Sequence, residues 1–272
     1  MNVAAKLAGF FSVLAAVFGV AFLTGTQSAA LLAPPEIHTR DLGGLSPSVD
    51  GYTLTAVEPK LEPGNDQFVE FTITGPDGKP LEELDDVDGM PLHLVAVRRD
   101  LTGFQHITPA QGEATSWWAL LNLSPGPWRV IVELQPTALG RRISLATDLT
   151  VLGAYRAEPL PAAVDQTVVD GLQVRRSGAL TTRSSARSTF TITEDGRPVT
   201  DLQQVHGALG HAVIIRPDDL GYRNLHAVPT AASGPELEFE GGVPARGMYR
   251  VFVEFYRGDR LHVAAFTVRV RR

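Results

Sequence analysis

From about position 50 onward, apolar and polar residues alternate with a period of two in short bursts, and turn residues separate the bursts. Phe68-Val-Glu-Phe-Thr-Ile-Thr74 and Trp128-Arg-Val-Ile-Val-Glu-Leu134 alternate as strands do, while Pro76-Asp-Gly78 and Glu194-Asp-Gly196 are turn signals. No window in this stretch carries an apolar stripe at helical spacing between helix-capable flanks. The bursts are also written twice. Val49-Asp50-Gly51-Tyr52 answers to Val169-Asp170-Gly171-Leu172, and Phe71-Thr-Ile-Thr74 to Phe190-Thr-Ile-Thr193. Gly126-Pro-Trp-Arg-Val-Ile-Val-Glu-Leu134 answers to Gly247-Met-Tyr-Arg-Val-Phe-Val-Glu-Phe255. A spacing of about 120 residues is that of a duplicated domain, because solenoid repeats run to about 20–50.

Seven or so short strands in about 100 residues predict an immunoglobulin-like β-sandwich. The expected fold is therefore all-β: a first sandwich at 48–153, a connector at 154–164 and a second sandwich at 165–272. Trp128 and Tyr249 each follow a Gly-containing turn and would open the strand called F.

One repeated unit carries histidines. Leu92-His93 through Asp100-Leu-Thr-Gly-Phe104-Gln-His106 and His211 through Asp218-Asp-Leu-Gly-Tyr222-Arg-Asn-Leu-His226 each place a histidine at both open ends of an expected hairpin. With turn centres between Arg99 and Asp100 and between Asp218 and Asp219, His93 faces His106 and His211 faces His226, unless a bulge intervenes. His262 follows the turn Arg257-Gly-Asp-Arg260 and is expected at the same sheet end as His211, with His206 on the approaching loop. The first copy offers Met90 near its pair, and Leu145 or a neighbour stands where the second copy has His262.

The start of the chain differs from all of this. Residues Leu7–Leu23 are almost wholly apolar, and no charge appears between Lys6 and Glu36. A helix over about 7–26 just spans a bilayer core, which takes about 20 residues. The apolar run is longer than a usual signal-peptide core, so an uncleaved anchor is preferred. Cleavage after Ala30, behind Ser28-Ala29-Ala30, is the alternative. Both readings export the remainder, and Lys6 satisfies the positive-inside rule. The aperiodic segment 31–47 reads as a linker between membrane and body.

Composition narrows the chemistry. The chain has 272 residues and no cysteine, so neither disulfides nor thiolate metal sites contribute. A formal net charge of −6 argues against a nucleic-acid partner. There is no Gly-x-Ser-x-Gly elbow, no His-Glu-x-x-His helix, no phosphate loop and no dinucleotide fingerprint, and no catalytic residue is nominated. The acidic run Glu82-Glu83-Leu-Asp85-Asp86-Val-Asp88 lacks the ligand order of a calcium loop.

Gly207-Ala-Leu-Gly-His211, Asp219-Leu-Gly-Tyr222, Gly234-Pro-Glu-Leu-Glu-Phe239 and His262-Val-Ala-Ala-Phe-Thr-Val268, with Leu92-His93 and Asp100-Leu-Thr-Gly-Phe-Gln-His106, resemble a group of actinobacterial exported proteins. That group has two tandem domains of this kind. Its members are described as uncharacterised secreted or membrane proteins, sometimes with a heavy-metal-binding label. The group tends to carry a His-x-His-Pro run where this chain has Leu225-His226-Ala227-Val228-Pro229 and His106-Ile-Thr-Pro109, so one histidine per run is missing.

Two functional classes follow. One is an exported, membrane-anchored, non-catalytic envelope module that binds a protein or wall component or serves a structural role. The other is an extracytoplasmic copper- or zinc-binding protein that uses His211, His226 and His262, with His93 and His106 as a weaker pair, since neutral imidazoles suit both ions. Against the second stands the ordinary fate of a strand-end histidine, which is a hydrogen bond to backbone or carboxylate.

Overall fold

The computed structural model describes residues 42–183, 185–204, 208–230 and 232–271. The expected membrane helix at 7–26, the cleavage point after Ala30, most of the segment 31–47, and His206 lie outside them. Among the described residues no helix is long and apolar enough to cross a membrane.

The chain from 40 to 272 is one compact unit, and it is built of strands. The first copy contributes β1 (Ser48–Val49), β2 (Tyr52–Ala56), β3 (Lys60–Leu61), β4 (Gly64–Thr74), β5 (Leu84–Asp85), β6 (Leu92–Arg98), β7 (Gln105–Ile107), β8 (Ala110–Gln111), β9 (Trp117–Leu123), β10 (Gly126–Pro136) and β11 (Ile143–Val151). The second contributes β12 (Gln166–Val169), β13 (Leu172–Gly178), β14 (Arg187–Glu194), β15 (Arg197–Pro198), β16 (Gly210–Ile215), β17 (Tyr222–Ala227), β18 (Glu236–Glu240), β19 (Gly247–Arg257) and β20 (Arg260–Val270).

Both copies set a three-stranded layer, β2-β4-β9 or β13-β14-β18, against a four-stranded one, β11-β10-β6-β7 or β20-β19-β16-β17. This is the order of an immunoglobulin-like sandwich, twice in tandem, as expected from the alternation. In the second copy the layers join at one corner, where His226 pairs with Glu240 and Ala227 with Phe239.

Period-two alternation decides what each strand buries. Val130, Val132 and Leu134 of β10 enter the first core beside Phe71, Leu92 and Leu94, and Val251, Val253 and Phe255 of β19 enter the second beside Ile214 and Phe266. Each fully buried side chain of this size contributes about 1.5–3 kcal/mol. At the start of strand F, Trp128 Nε1 donates to the Ser124 carbonyl at 2.8 Å and the Tyr249 hydroxyl to the Ala245 carbonyl at 2.9 Å. Tryptophan thus serves in the first copy the corner role that tyrosine serves in the second.

The opposite faces of the four-stranded layers are buried too, against each other. Val95, Val97, Ile131 and Ala146 meet Val213, Ile215, Tyr222 and Phe252 in a third apolar cluster. Phe104 stacks on Phe252 with centroids 4.1 Å apart. The two sandwiches are therefore joined by a packed seam.

The segment expected as a free linker up to Pro47 is tied into this seam from Leu42 onward. Gly43 N donates to Tyr222 O at 2.8 Å and Gly43 O accepts from Tyr222 N at 2.9 Å, while Gly44 N donates to Ser144 O in the other copy at 3.2 Å. Leu42 is buried in the second core. Gly44 has φ of +68°, and a Cβ there would lie 3.0 Å from Ile131 and 3.2 Å from Tyr222. A glycine is needed because the strap passes where two side chains from different domains already touch.

The hairpin registers split. In the second copy Ala212 faces Leu225 and Val213 faces Asn224, which extends to the expected facing of His211 and His226. In the first, His106 faces Val95, two residues from His93. The connection there is a wider loop, with Leu101 and Gly103 at positive φ and Gly103 packed on Trp128. A slip of two preserves the face, so His106 lies diagonal to His93 on the seam side.

Candidate functional site

The seam ends in a buried polar cluster. His93 on β6 pairs in register with Glu133 on β10, and His211 on β16 with Glu254 on β19. All four side chains share the face of Val95, Ile131, Val213 and Phe252. His106 and Asn224 hold equivalent places on β7 and β17, facing Val95 and Val213.

The copies then reach across to each other. His106 Nδ1 meets Glu254 Oε2 at 2.7 Å, and Asn224 Nδ2 donates to Glu133 Oε2 at 3.3 Å. Within each copy, His106 Nε2 lies 3.0 Å from His93 Nδ1, and Asn224 Nδ2 lies 3.1 Å from His211 Nε2. The contacts are reciprocal, as across a two-fold axis. The duplicated chain folds back on itself as a fused dimer.

His93, His106 and His211 bring one ring nitrogen each to within 4.8 Å of the others. The rings are stacked, with His106 and His211 centroids 4.5 Å apart. Burial, reinforced by the neighbouring His106, holds His93 below its ordinary value of 6.5, and burial with His106 and His93 holds His211 well below it. Both shifts favour the neutral imidazole. Burial pushes Glu133 up, and burial with the adjacent Glu133 pushes Tyr222 well up. Burial alone would raise Asp88, but the hydrogen bond and charge of Arg142 bring it below 3.8.

The cluster opens on a cavity of about 500 Å³, lined also by Met90, Asp88, His226, Tyr256 and Leu261. A thioether, three imidazoles and two carboxylates are donors that can hold a transition-metal ion.

The histidines expected on the second domain do not gather. His262 faces Phe255 across β19 and β20, and stacks on it at 5.3 Å. It has the core parity of Ala264 and Phe266, opposite to that of His211, and its Nδ1 meets Asp170 at 2.8 Å. Sharing a sheet end does not mean sharing a face. His226 lies on the seam side but is exposed at the mouth of the cavity. In the first copy Ile143, next but one to Leu145, holds the place of His262, opposite Leu134.

Glu133, Glu254, Asn224 and Tyr222 were not singled out from sequence. A signal was present: Val-Ile-Val-Glu-Leu134 and Val-Phe-Val-Glu-Phe255 are apolar on both faces except for one glutamate, which marks an outer face covered by something with a polar spot.

No curated protein matches the sequence. Among solved structures, the chain is similar to FdeC, an Escherichia coli adhesin, at 18% identity over 83% of this chain and 65% of that one, with a TM-score of 0.28. It is similar to Yersinia pseudotuberculosis InvD at 14% identity over 82% of this chain and 58% of that one, with a TM-score of 0.25. It thus spans less than two thirds of either. Fibronectin(III)-like modules of Clostridium thermocellum CbhA are similar at 12% identity over 80% of this chain and 94% of that one, with a TM-score of 0.21. The chain belongs to the family described as Domain of unknown function (DUF8832), whose model matches residues 47–157 and again 166–272, once on each sandwich.

Proposed function

We propose that this protein is an exported, membrane-anchored, non-catalytic module of the cell envelope, in which two sandwiches act as one rigid body that presents a structural or binding surface. The observation that carries this is the seam. Apolar faces of both copies, a reciprocal polar cluster and the Leu42–Ser46 strap hold the domains in one arrangement, which suits display and load better than turnover. The His106–Glu254 pair has the form of a base and its orienting carboxylate, yet its remaining nitrogen meets His93 and, among the described residues, no hydroxyl nucleophile. On the outer layer of the first copy, Phe68 and Leu120 are 53% and 44% exposed and face each other. Trp118 stacks on Phe68 at 5.5 Å. Such a patch is a natural contact surface for an envelope partner.

The chain has no cysteine, so Lys79→Cys supplies a single thiol at a solvent-exposed turn. A membrane-impermeant maleimide is expected to label it in intact producing cells, and labelling only after lysis would rule out the extracytoplasmic reading. Rigidity is tested by rotational diffusion of the full chain: one common correlation time for both sandwiches is expected, and two independent ones would overturn it.

A further inference from the structure

We propose that His93, His106 and His211 form a transition-metal site closed across the two sandwiches, taking one copper ion, with zinc as its competitor. The argument begins with a count of protons. Val87 O lies 2.7 Å from His93 Nε2, and a carbonyl only accepts, so Nε2 carries the hydrogen and Nδ1 a lone pair. Glu254 Oε2 lies 2.7 Å from His106 Nδ1, so that nitrogen carries the hydrogen, and in the neutral ring Nε2 holds a lone pair. The two lone pairs then face each other at 3.0 Å. Neutral rings repel in that geometry, and the contact calls for a cation.

Three observations assign a metal ion, and not an additional proton. A third imidazole, His211, has a ligand atom within 4.8 Å of both others, which a shared proton would not need. Glu254 is 5% exposed and lines the cavity, and its Oε1 is buried without a partner. The outer nitrogens are also fixed as in metal centres, where each ligating histidine donates its far N–H to a carbonyl or carboxylate. Val87 O and Glu254 Oε2 are those acceptors.

His211 Nδ1 is buried and without a partner. Its Nε2 is taken up with the Asn224 amide at 3.1 Å, so Nδ1 is the nitrogen left to turn to an ion. Met90 lines the cavity beside the three rings, and a thioether favours copper, its reduced state above all. Two ligands come from one copy and one from the other, so a bound ion pins the seam.

The test uses the full chain purified in detergent and titrated separately with Cu(I), Cu(II) and Zn(II). One equivalent bound, with a rise in melting temperature, is expected. His93→Gln, His106→Gln and His211→Gln should each abolish both effects, and His262→Gln neither. Retained binding in His211→Gln would overturn a site shared between domains, and a wild-type chain that takes up no ion overturns the proposal outright. Should the variants fail to fold, X-ray absorption of the loaded wild type decides: three imidazole nitrogens at about 2.0 Å support the site, and one or none overturns it.

Discussion

The two copies meet through equivalent residues, but they bring unequal chemistry to the meeting. Where the first copy has His106, the second has Asn224, and each reaches the other copy's strand-F glutamate, at 2.7 and 3.3 Å respectively. A histidine that donates from one nitrogen presents a lone pair from the other, whereas an asparagine that donates has only its amide oxygen left. Phe104 and Tyr222 differ in the same way. The first stacks on Phe252, while the second also pairs its backbone with the strap and turns its hydroxyl to Glu133. Duplication kept the packing and let one half specialise.

The largest test of this asymmetry is at the aromatic pair. Tyr222→Ala should cost about 3–5 kcal/mol in chemical denaturation, because it opens a cavity at a fully buried site. Phe104→Ala, on a half-buried ring, should cost about 1–2 kcal/mol. Equal losses would mean that the strap adds nothing to the second half.

The corner residues come next. Tyr249→Phe removes one hydrogen bond and should cost about 1 kcal/mol. Trp128→Phe removes a bond and leaves a void under Gly103, for about 2–3 kcal/mol. Urea melts of the two variants compare them directly.

Gly44→Ala forces a side chain into the left-handed region and between Ile131 and Tyr222, an expected loss of about 1–2 kcal/mol. A neutral result would show that the strap is dispensable to the seam.

The smallest effects are in pH dependence. His93 and His211 have folded values below 6.5, so the unfolded chain binds more protons, and stability falls as pH drops below 6.5. Glu133 is raised above 4.5, so its burial costs stability as pH rises from there through its folded value. Melting temperature followed from pH 4 to 8 should therefore show a shallower acid limb in His211→Gln. Glu133→Gln should gain over wild type above pH 4.5 and match it below.

Much of this fold was legible in the residues. Strand alternation and the repeated Val-Asp-Gly and Phe-Thr-Ile-Thr units announce a duplicated sandwich, and Pro217-Asp218-Asp219 sets the second hairpin correctly. The first hairpin misled because Asp100 binds Arg98, Thr102 and the connector at Glu158, which makes a broad loop in place of a tight turn. The site itself was hidden for a different reason. His93, His106 and His211 were each visible, but which histidines meet depends on how one sandwich lies against the other. That contact is encoded in pairs such as Ile131 with Tyr222, separated by most of a domain. The both-faced apolar strands Leu92–Val97 and Val130–Leu134 were the available clue to a covered outer face.

The connector from 154 to 164 makes the seam a matter within one molecule. Two free chains must find each other against dilution, but tethered halves face a local concentration in the millimolar range for short linkers. A contact too weak to hold separate proteins together suffices here, whatever the protein's abundance. That frees the joint to carry strained, half-satisfied or chemically useful groups which a true dimer would have to replace with grease.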